Sequence, residues 1–242
     1  MIEIKNLCKR YGDIEAVNGV DLSVESGEIF CLLGSNGAGK TTIIKILIGL
    51  LEPTSGTALI NGKNIREDVK SKTLFGYLPE QPHLYERLTG REFLDIMGTL
   101  KGVKKSRLER EIDRWSEELE LERRLDSETG AYSKGMKQKI LFINAILHDP
   151  PNLVLDEPTV GLDPRFSQHM KKKISDFSKD GKAVLMTTHI TSVAEDVADT
   201  VGIIDKGRLL TRGSPESLKE ETGTETLEKA FVEVIDRERR NP

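Results

Sequence analysis

Cysteine is scarce in this 242-residue chain: only Cys8 and Cys31 occur, and both fall inside apolar, strand-like runs. Two thiols in such a setting read as buried free cysteines in a reducing compartment rather than as a disulfide frame. Aromatic residues are also few, 5% of the chain with a single Trp. Long apolar runs are missing. None approaches the ~20 residues that span a bilayer, and Lys45 interrupts the best candidate. If the protein works at a membrane, another chain must do the spanning. No charged-then-apolar leader opens the sequence, so no signal peptide is expected. A surplus of positive charge is lacking too. Thirty-six Lys and Arg stand against 40 Asp and Glu, a net charge of −4, which argues against broad binding of nucleic acid, since that requires a basic face. What is left is a charged fraction of 31% beside a hydrophobic fraction of 37%. That balance suits a soluble globular protein of one large domain or a domain with a subdomain.

Glycine is concentrated where chemistry is expected. Gly34-Ser35-Asn36-Gly37-Ala38-Gly39-Lys40-Thr41 fits G-x-x-x-x-G-K-[ST], follows the apolar run Ile29–Leu33, and leads into the helical stretch Thr42–Leu47. Strand, glycine loop and helix is the context a phosphate-binding loop requires. The glycines let the backbone curl until successive N–H groups face phosphate oxygens, and the helix start adds partial positive charge. Lys40 is expected to reach the β- and γ-phosphates and the Thr41 hydroxyl to ligate magnesium. The ligand class is therefore a nucleoside triphosphate. No Asn-Lys-x-Asp run is present to read guanine.

The remaining pattern divides the chain. Ile2–Lys5 and Val20–Val24 alternate with period two, and Asn61-Gly62 is a hairpin signal after Thr57–Ile60, so the first part reads as antiparallel β. Residues 153–155 and 183–186 are short and continuously apolar, as in parallel strands covered on both faces. The first of these runs into Asp156 and Glu157, two carboxylates at the strand edge where open parallel sheets bind ligands. Asp156 is placed to hold magnesium and Glu157, alternating to the other side, to polarise an attacking water. From 83 to 148 the pattern is helical. Thr89 with Glu92, and Ser106 with Glu109, fit capping boxes, and Leu108, Ile112, Trp115 and Leu119 form an apolar stripe read as the core of a helical lobe. Beyond Pro215 a charged tail offers one or two short helices around Leu218 and Leu227–Phe231. His83, His148 and His169 have no motif context and are expected at the surface.

Taken in order, the phosphate loop, Asp156-Glu157 and four further elements resemble an ATP-binding cassette (ABC) nucleotide-binding subunit over nearly the whole length. Tyr11 sits where that family stacks an aromatic ring on adenine. Gln81, in Tyr77-Leu78-Pro79-Glu80-Gln81-Pro82, matches the glutamine of the loop between core and helical lobe. Tyr132-Ser133-Lys134-Gly135-Met136-Lys137-Gln138 is similar to the family signature, usually Leu-Ser-Gly-Gly-Gln, with Tyr132, Lys134 and Met136 as departures. Val160-Gly161-Leu162-Asp163 resembles the loop that crosses between cassettes, and His189 after Thr187-Thr188 matches the switch histidine.

The resemblance implies an α/β fold: a P-loop NTPase (RecA-like) core with an antiparallel β subdomain and an inserted α-helical subdomain. It places the ATP-binding domain over 1–215, with core at 1–82 and 149–215 and the helical subdomain at 83–148, followed by a C-terminal extension over 216–242. ATP and Mg²⁺ are the implied cofactors. Glu157, His189, Gln81 and Lys40 are the implied catalytic groups; Thr41, Gln81 and Asp156 the metal-side groups. Tyr11, Gly34 through Thr42 (Gly34, Ser35, Asn36, Gly37, Ala38, Gly39, Lys40, Thr41, Thr42), Ser133, Gly135 and Asp163 are the implied nucleotide contacts, the last three across a head-to-tail pair of cassettes. The implied partners are a second cassette and a separate transmembrane permease at the cytoplasmic face of the membrane, with no nucleic acid. The signature variant and the tail Thr226–Phe231 resemble the drug, antibiotic and sodium exporter branch. A soluble cassette acting on ribosomes or DNA is the alternative; such proteins usually carry two cassettes or a long coiled-coil insertion, and this chain has neither. A regulatory ATP-binding module without turnover is a third reading, opposed by the intact Asp156, Glu157 and His189.

Overall fold

The computed structural model describes residues 1–67 and 69–240. Its centre is a six-stranded sheet in the order β5-β6-β7-β3-β8-β9. The strands are β3 (Ile29–Leu33), β5 (Phe75–Leu78), β6 (Asn152–Asp156), β7 (Ala183–Thr188), β8 (Thr200–Asp205) and β9 (Arg208–Gly213). The first five run parallel, and β9 closes the edge antiparallel to β8. Every residue of β3, β6 and β7 is buried, as their unbroken apolar runs require of strands covered on both faces. Alternation along each strand then sorts the side chains. Phe30, Leu32, Val154 and Leu185 pack to one face, and Cys31, Leu33, Leu153, Leu155, Val184 and Met186 to the other.

The first face is covered by α1 (Lys40–Leu47) and by a three-stranded antiparallel sheet of β1 (Ile2–Tyr11), β2 (Ile14–Val24) and β4 (Ser55–Ile60), in the order β2-β1-β4. Asn61 and Gly62 do form a tight turn, both with positive φ, but only a single Ile60–Lys63 bridge follows. The strand before the turn pairs with β1 instead of folding back on itself. Cys31 is buried and Cys8 only half-buried; both are free thiols.

The second face carries the helices. α2 (Gly90–Leu100) has the Thr89/Glu92 capping box complete. In α3 (Lys105–Glu118) the stripe Leu108, Ile112, Trp115 and Leu119 is buried, each such side chain contributing about 1.5–3 kcal/mol on burial. The expected Ser106/Glu109 box does not form. Lys104 is the extended N-cap residue, so Ser106 already lies within the first turn. α4 (Lys134–Ile146), α5 (Pro164–Lys179) and α6 (Thr191–Val197) complete this layer. The tail is more extensive than the sequence suggests: α7 (Pro215–Thr222) is followed by a 14-residue α8 (Leu227–Arg240), whose Leu227, Ala230 and Ile235 are buried. Of the three histidines expected at the surface, His83 is exposed but His148 and His169 are half-buried. His169 stacks on Phe166, and the His148 Nε2 lies 3.1 Å from the Phe75 carbonyl, which anchors the end of α4 to the sheet.

Candidate functional site

The parallel strands point their C-terminal ends at one place, and the glycine loop, Asp156-Glu157 and His189 all gather there. The loop is built by close backbone approach. A Cβ on Gly34 would lie 2.6 Å from the Ile204 carbonyl, and one on Gly39, at φ 109°, 2.5 Å from the Ala16 carbonyl. No other residue type fits either position. The cleft has a volume of about 310 Å³ and is lined by Ala16, Ser35 to Thr42, Glu80 and Glu157. Its floor is Lys40, 6% exposed, whose Nζ donates to the carbonyls of Gly34 at 2.7 Å and Ser35 at 3.2 Å.

Lys40 also meets Glu157 Oε1 at 3.4 Å. The Glu157 carboxylate is buried, and the same Oε1 lies 2.9 Å from His189 Nδ1. A carboxylate offers only lone pairs, so the proton sits on Nδ1, and Nε2 is left for a ligand. The His189 backbone N–H adds a longer contact to Oε2, at 3.4 Å. Glu157 adopts φ 50°, a left-handed conformation that is uncommon for a non-glycine residue. Thr187 holds it there: the Glu157 N–H is within 3.2 Å of both the Thr187 carbonyl and its hydroxyl. The same hydroxyl donates to Asp156 Oδ1 at 2.5 Å. Thr187 therefore orients both carboxylates at once, a role the sequence pattern does not reveal.

Asp156 fits a magnesium ligand on its surroundings. Burial raises its carboxyl above the usual range, opposed by hydrogen bonds from Thr187 and Thr41. The Thr41 hydroxyl and the Asp156 carboxylate thus stand side by side as hard oxygen donors. Among the described residues no group of three or more His, Cys, Asp or Glu side chains forms a metal cage.

Other sequence candidates lie elsewhere. Gln81 is exposed and does not line the cleft; its neighbour Glu80 does. The chain bends at residues 80 and 81 just beyond β5, which turns Glu80 toward the cleft and leaves Gln81 beside it at the rim. Tyr11 is 46% exposed at the β1–β2 turn, outside the cleft lining. Ser133 caps α4, accepting from the Met136 N–H at 3.3 Å, and is exposed with Gly135 half-buried beside it. Neither reaches this chain's own cleft. Asp163 caps α5 through the Phe166 N–H at 2.9 Å. Of the signature departures, Tyr132 is buried and donates its hydroxyl to the Arg124 carbonyl at 2.6 Å. Lys134 lies over Gly161.

Fold and site together define a P-loop NTPase with a helical lobe inserted between the phosphate loop and the acidic strand. Residues 17–160 match the ABC transporter family, and the chain belongs to it, as an ATP-binding cassette. It is 35% identical over 97% of its length to the probable multidrug ABC transporter ATP-binding protein YbhF of Escherichia coli, spanning 42% of that longer protein. Among solved structures it is similar to an ATP-binding subunit of an ABC transporter, with 35% identity, TM-score 0.92, and coverage of 97% of this chain and 99% of the other. It also resembles a bacterial ABC transporter cassette solved as a dimer, with 25% identity, TM-score 0.81, and coverage of 88% and 98%.

Proposed function

We propose that this chain binds Mg-ATP in the glycine cradle, hydrolyses it when paired with a second cassette, and thereby drives a separate membrane permease, most consistently an exporter. The observation that carries this reading is the contact chain Lys40–Glu157–His189 at the mouth of the cradle. One cation, one carboxylate and one imidazole there face the position of a terminal phosphate. Phosphoryl transfer needs positioning and charge stabilisation more than covalent chemistry. Lys40 neutralises phosphate oxygens, Thr41 and Asp156 are the residues that would hold Mg²⁺, and bound Mg²⁺ supplies further neutralisation of the β- and γ-oxygens. Glu157 accepts a proton from the attacking water, and its hold on Nδ1 keeps the His189 ring oriented beside the γ-phosphate position. Gln81, adjacent to the cleft-lining Glu80, is the group from the loop after β5 that senses the attacking water.

Pairing is supported by what a lone chain leaves outside its cleft. Ser133, Gly135 and Asp163 are positioned at helix starts but do not line the cradle of their own chain, and the related cassette solved as a dimer is a precedent for pairing. Export and the cytoplasmic face of the membrane rest on the likeness to a multidrug transporter subunit and on the Tyr132–Gln138 signature. In this scheme the core comprises 1–82 and 149–215, the helical lobe 83–148, and the extension the residues from 216 onward.

The deciding experiment is Glu157→Gln. Phosphate release is expected to fall by about 10²–10⁴-fold, the range for a lost general base, with ATP binding retained and an ATP-dependent dimer accumulating in light scattering. Hydrolysis at near wild-type rate would remove Glu157 from this role.

A further inference from the structure

We infer that the hollow between the end of α2, the start of α3 and the end of α4 is a binding site for a dianionic phosphate group, separate from the ATP cleft. The hollow has a volume of about 520 Å³ and is lined by Thr73, Lys101, Gly102, Val103, Lys104, Arg107 and His148. It contains three cations and an imidazole, and no carboxylate lines it among the described residues. The neighbouring hollow between α3 and α5 makes the contrast: there Arg107, Arg114, Lys173, Lys179 and Lys182 are balanced by Glu111, Asp149, Asp176 and Asp180. A surplus of positive charge in one cavity of a chain with net charge −4 requires an explanation.

Each cation is poorly compensated by the protein. Lys101 Nζ donates to the Asn144 carbonyl at 2.8 Å, an uncharged partner. The nearest carboxylate to Arg107 is Asp149 at 3.8 Å, which Lys182 already engages. Lys104 stands at the N-cap of α3, where no side chain caps the helix and the first turn holds no acidic residue. The helix macrodipole disfavours a cation at that end and favours an anion. His148 donates Nε2–H to the Phe75 carbonyl, while its Nδ1 is buried without a partner. Burial, and then Lys101, disfavours the charged ring. A phosphate group answers these charges: it pairs with two lysines as point charges and with the Arg107 fork, and it lies at the positive end of a 14-residue helix.

The location excludes a second view of the ATP cleft. Thr73 lies just before β5, at the N-terminal edge of the parallel strands, whereas the glycine loop follows the C-terminal end of β3. The same chemistry comes from a soluble phosphate ester or from a phospholipid headgroup, and the test separates them.

Protein saturated with Mg-ADP, so that the glycine loop is filled, is titrated with inorganic phosphate while the imidazole signals are followed by NMR. A saturable shift of the His148 resonance is expected, weakened about tenfold or more in the Lys104→Glu/Arg107→Glu variant. Both side chains are exposed, so the variant is expected to lose no thermal stability and to keep its ATPase rate. Co-flotation of wild type, but not of that variant, with vesicles containing phosphatidic acid assigns the source to lipid. Phosphate binding without flotation assigns it to a soluble ester. The absence of a saturable His148 shift together with absence of flotation, or binding unchanged by the charge reversal, overturns the inference.

Discussion

Three groups compete for one carboxylate at Glu157, and the balance among them predicts how single substitutions act. Lys40→Ala removes a phosphate contact and also leaves Glu157, 4% exposed, with one charged neighbour fewer. Unpairing a buried ion costs about 3–5 kcal/mol, so this variant is expected both to lose ATP affinity and to unfold at lower temperature, read by nucleotide titration and calorimetry. Thr187→Val keeps the shape but deletes the hydroxyl that serves Asp156 and Glu157 together. ATP binding is expected to survive while Mg²⁺-dependent turnover falls about tenfold or more, the range for a misaligned catalytic group. Gln81→Ala is expected to slow hydrolysis while ATP binding survives; phosphate release at the wild-type rate would remove Gln81 from the site. At His148 burial, and then Lys101, hold the ring neutral down to about pH 4, while the unfolded chain takes up its proton near the ordinary value, about 6.5. Between these values the unfolded state binds more protons, so stability falls as pH drops from about 6.5 to 4. The loss is on the order of 2–3 kcal/mol, and it should be missing from His148→Gln in urea titrations run in phosphate-free buffer.

Elements rather than residues decide how much of this was legible beforehand. β3, β6 and β7 were readable because an unbroken apolar run bounded by polar groups has few alternatives. The carboxylates at the end of β6 followed from where that strand ends, whereas His189 was given by the family resemblance of Thr187-Thr188-His189. The antiparallel sheet was readable as strands but not as pairings, since the Asn61-Gly62 turn forms without a returning strand. The Ser106/Glu109 pattern misled because a highly charged helix repeats Ser-x-x-Glu spacing inside itself, and the true N-cap, Lys104, is a residue with no capping chemistry. Close backbone packing is invisible in sequence altogether. A Cβ on Gly76 of β5 would stand 2.0 Å from the Ala145 carbonyl of α4. Gly76→Ala is accordingly expected to cost about 3 kcal/mol, the upper end for overpacking, measurable as a lower urea midpoint.

Considered whole, the molecule exposes the start of α4 and shelters its end. Ser133 is on the surface, and the far end of the same helix is tied to β5 through His148 and to α2 through Lys101. The proposed pairing therefore has a defined point of failure. Ser133→Arg is expected to abolish the ATP-dependent dimer of the Glu157→Gln protein in light scattering, while the monomer still binds ATP. A persistent dimer would place the contact elsewhere.

The last helix has a further consequence. α8 packs against α6, and Lys219 of α7 reaches Glu195 of α6 at 2.8 Å; α6 itself starts two residues after His189. The two C-terminal helices are thereby packed on the element that directly follows the imidazole.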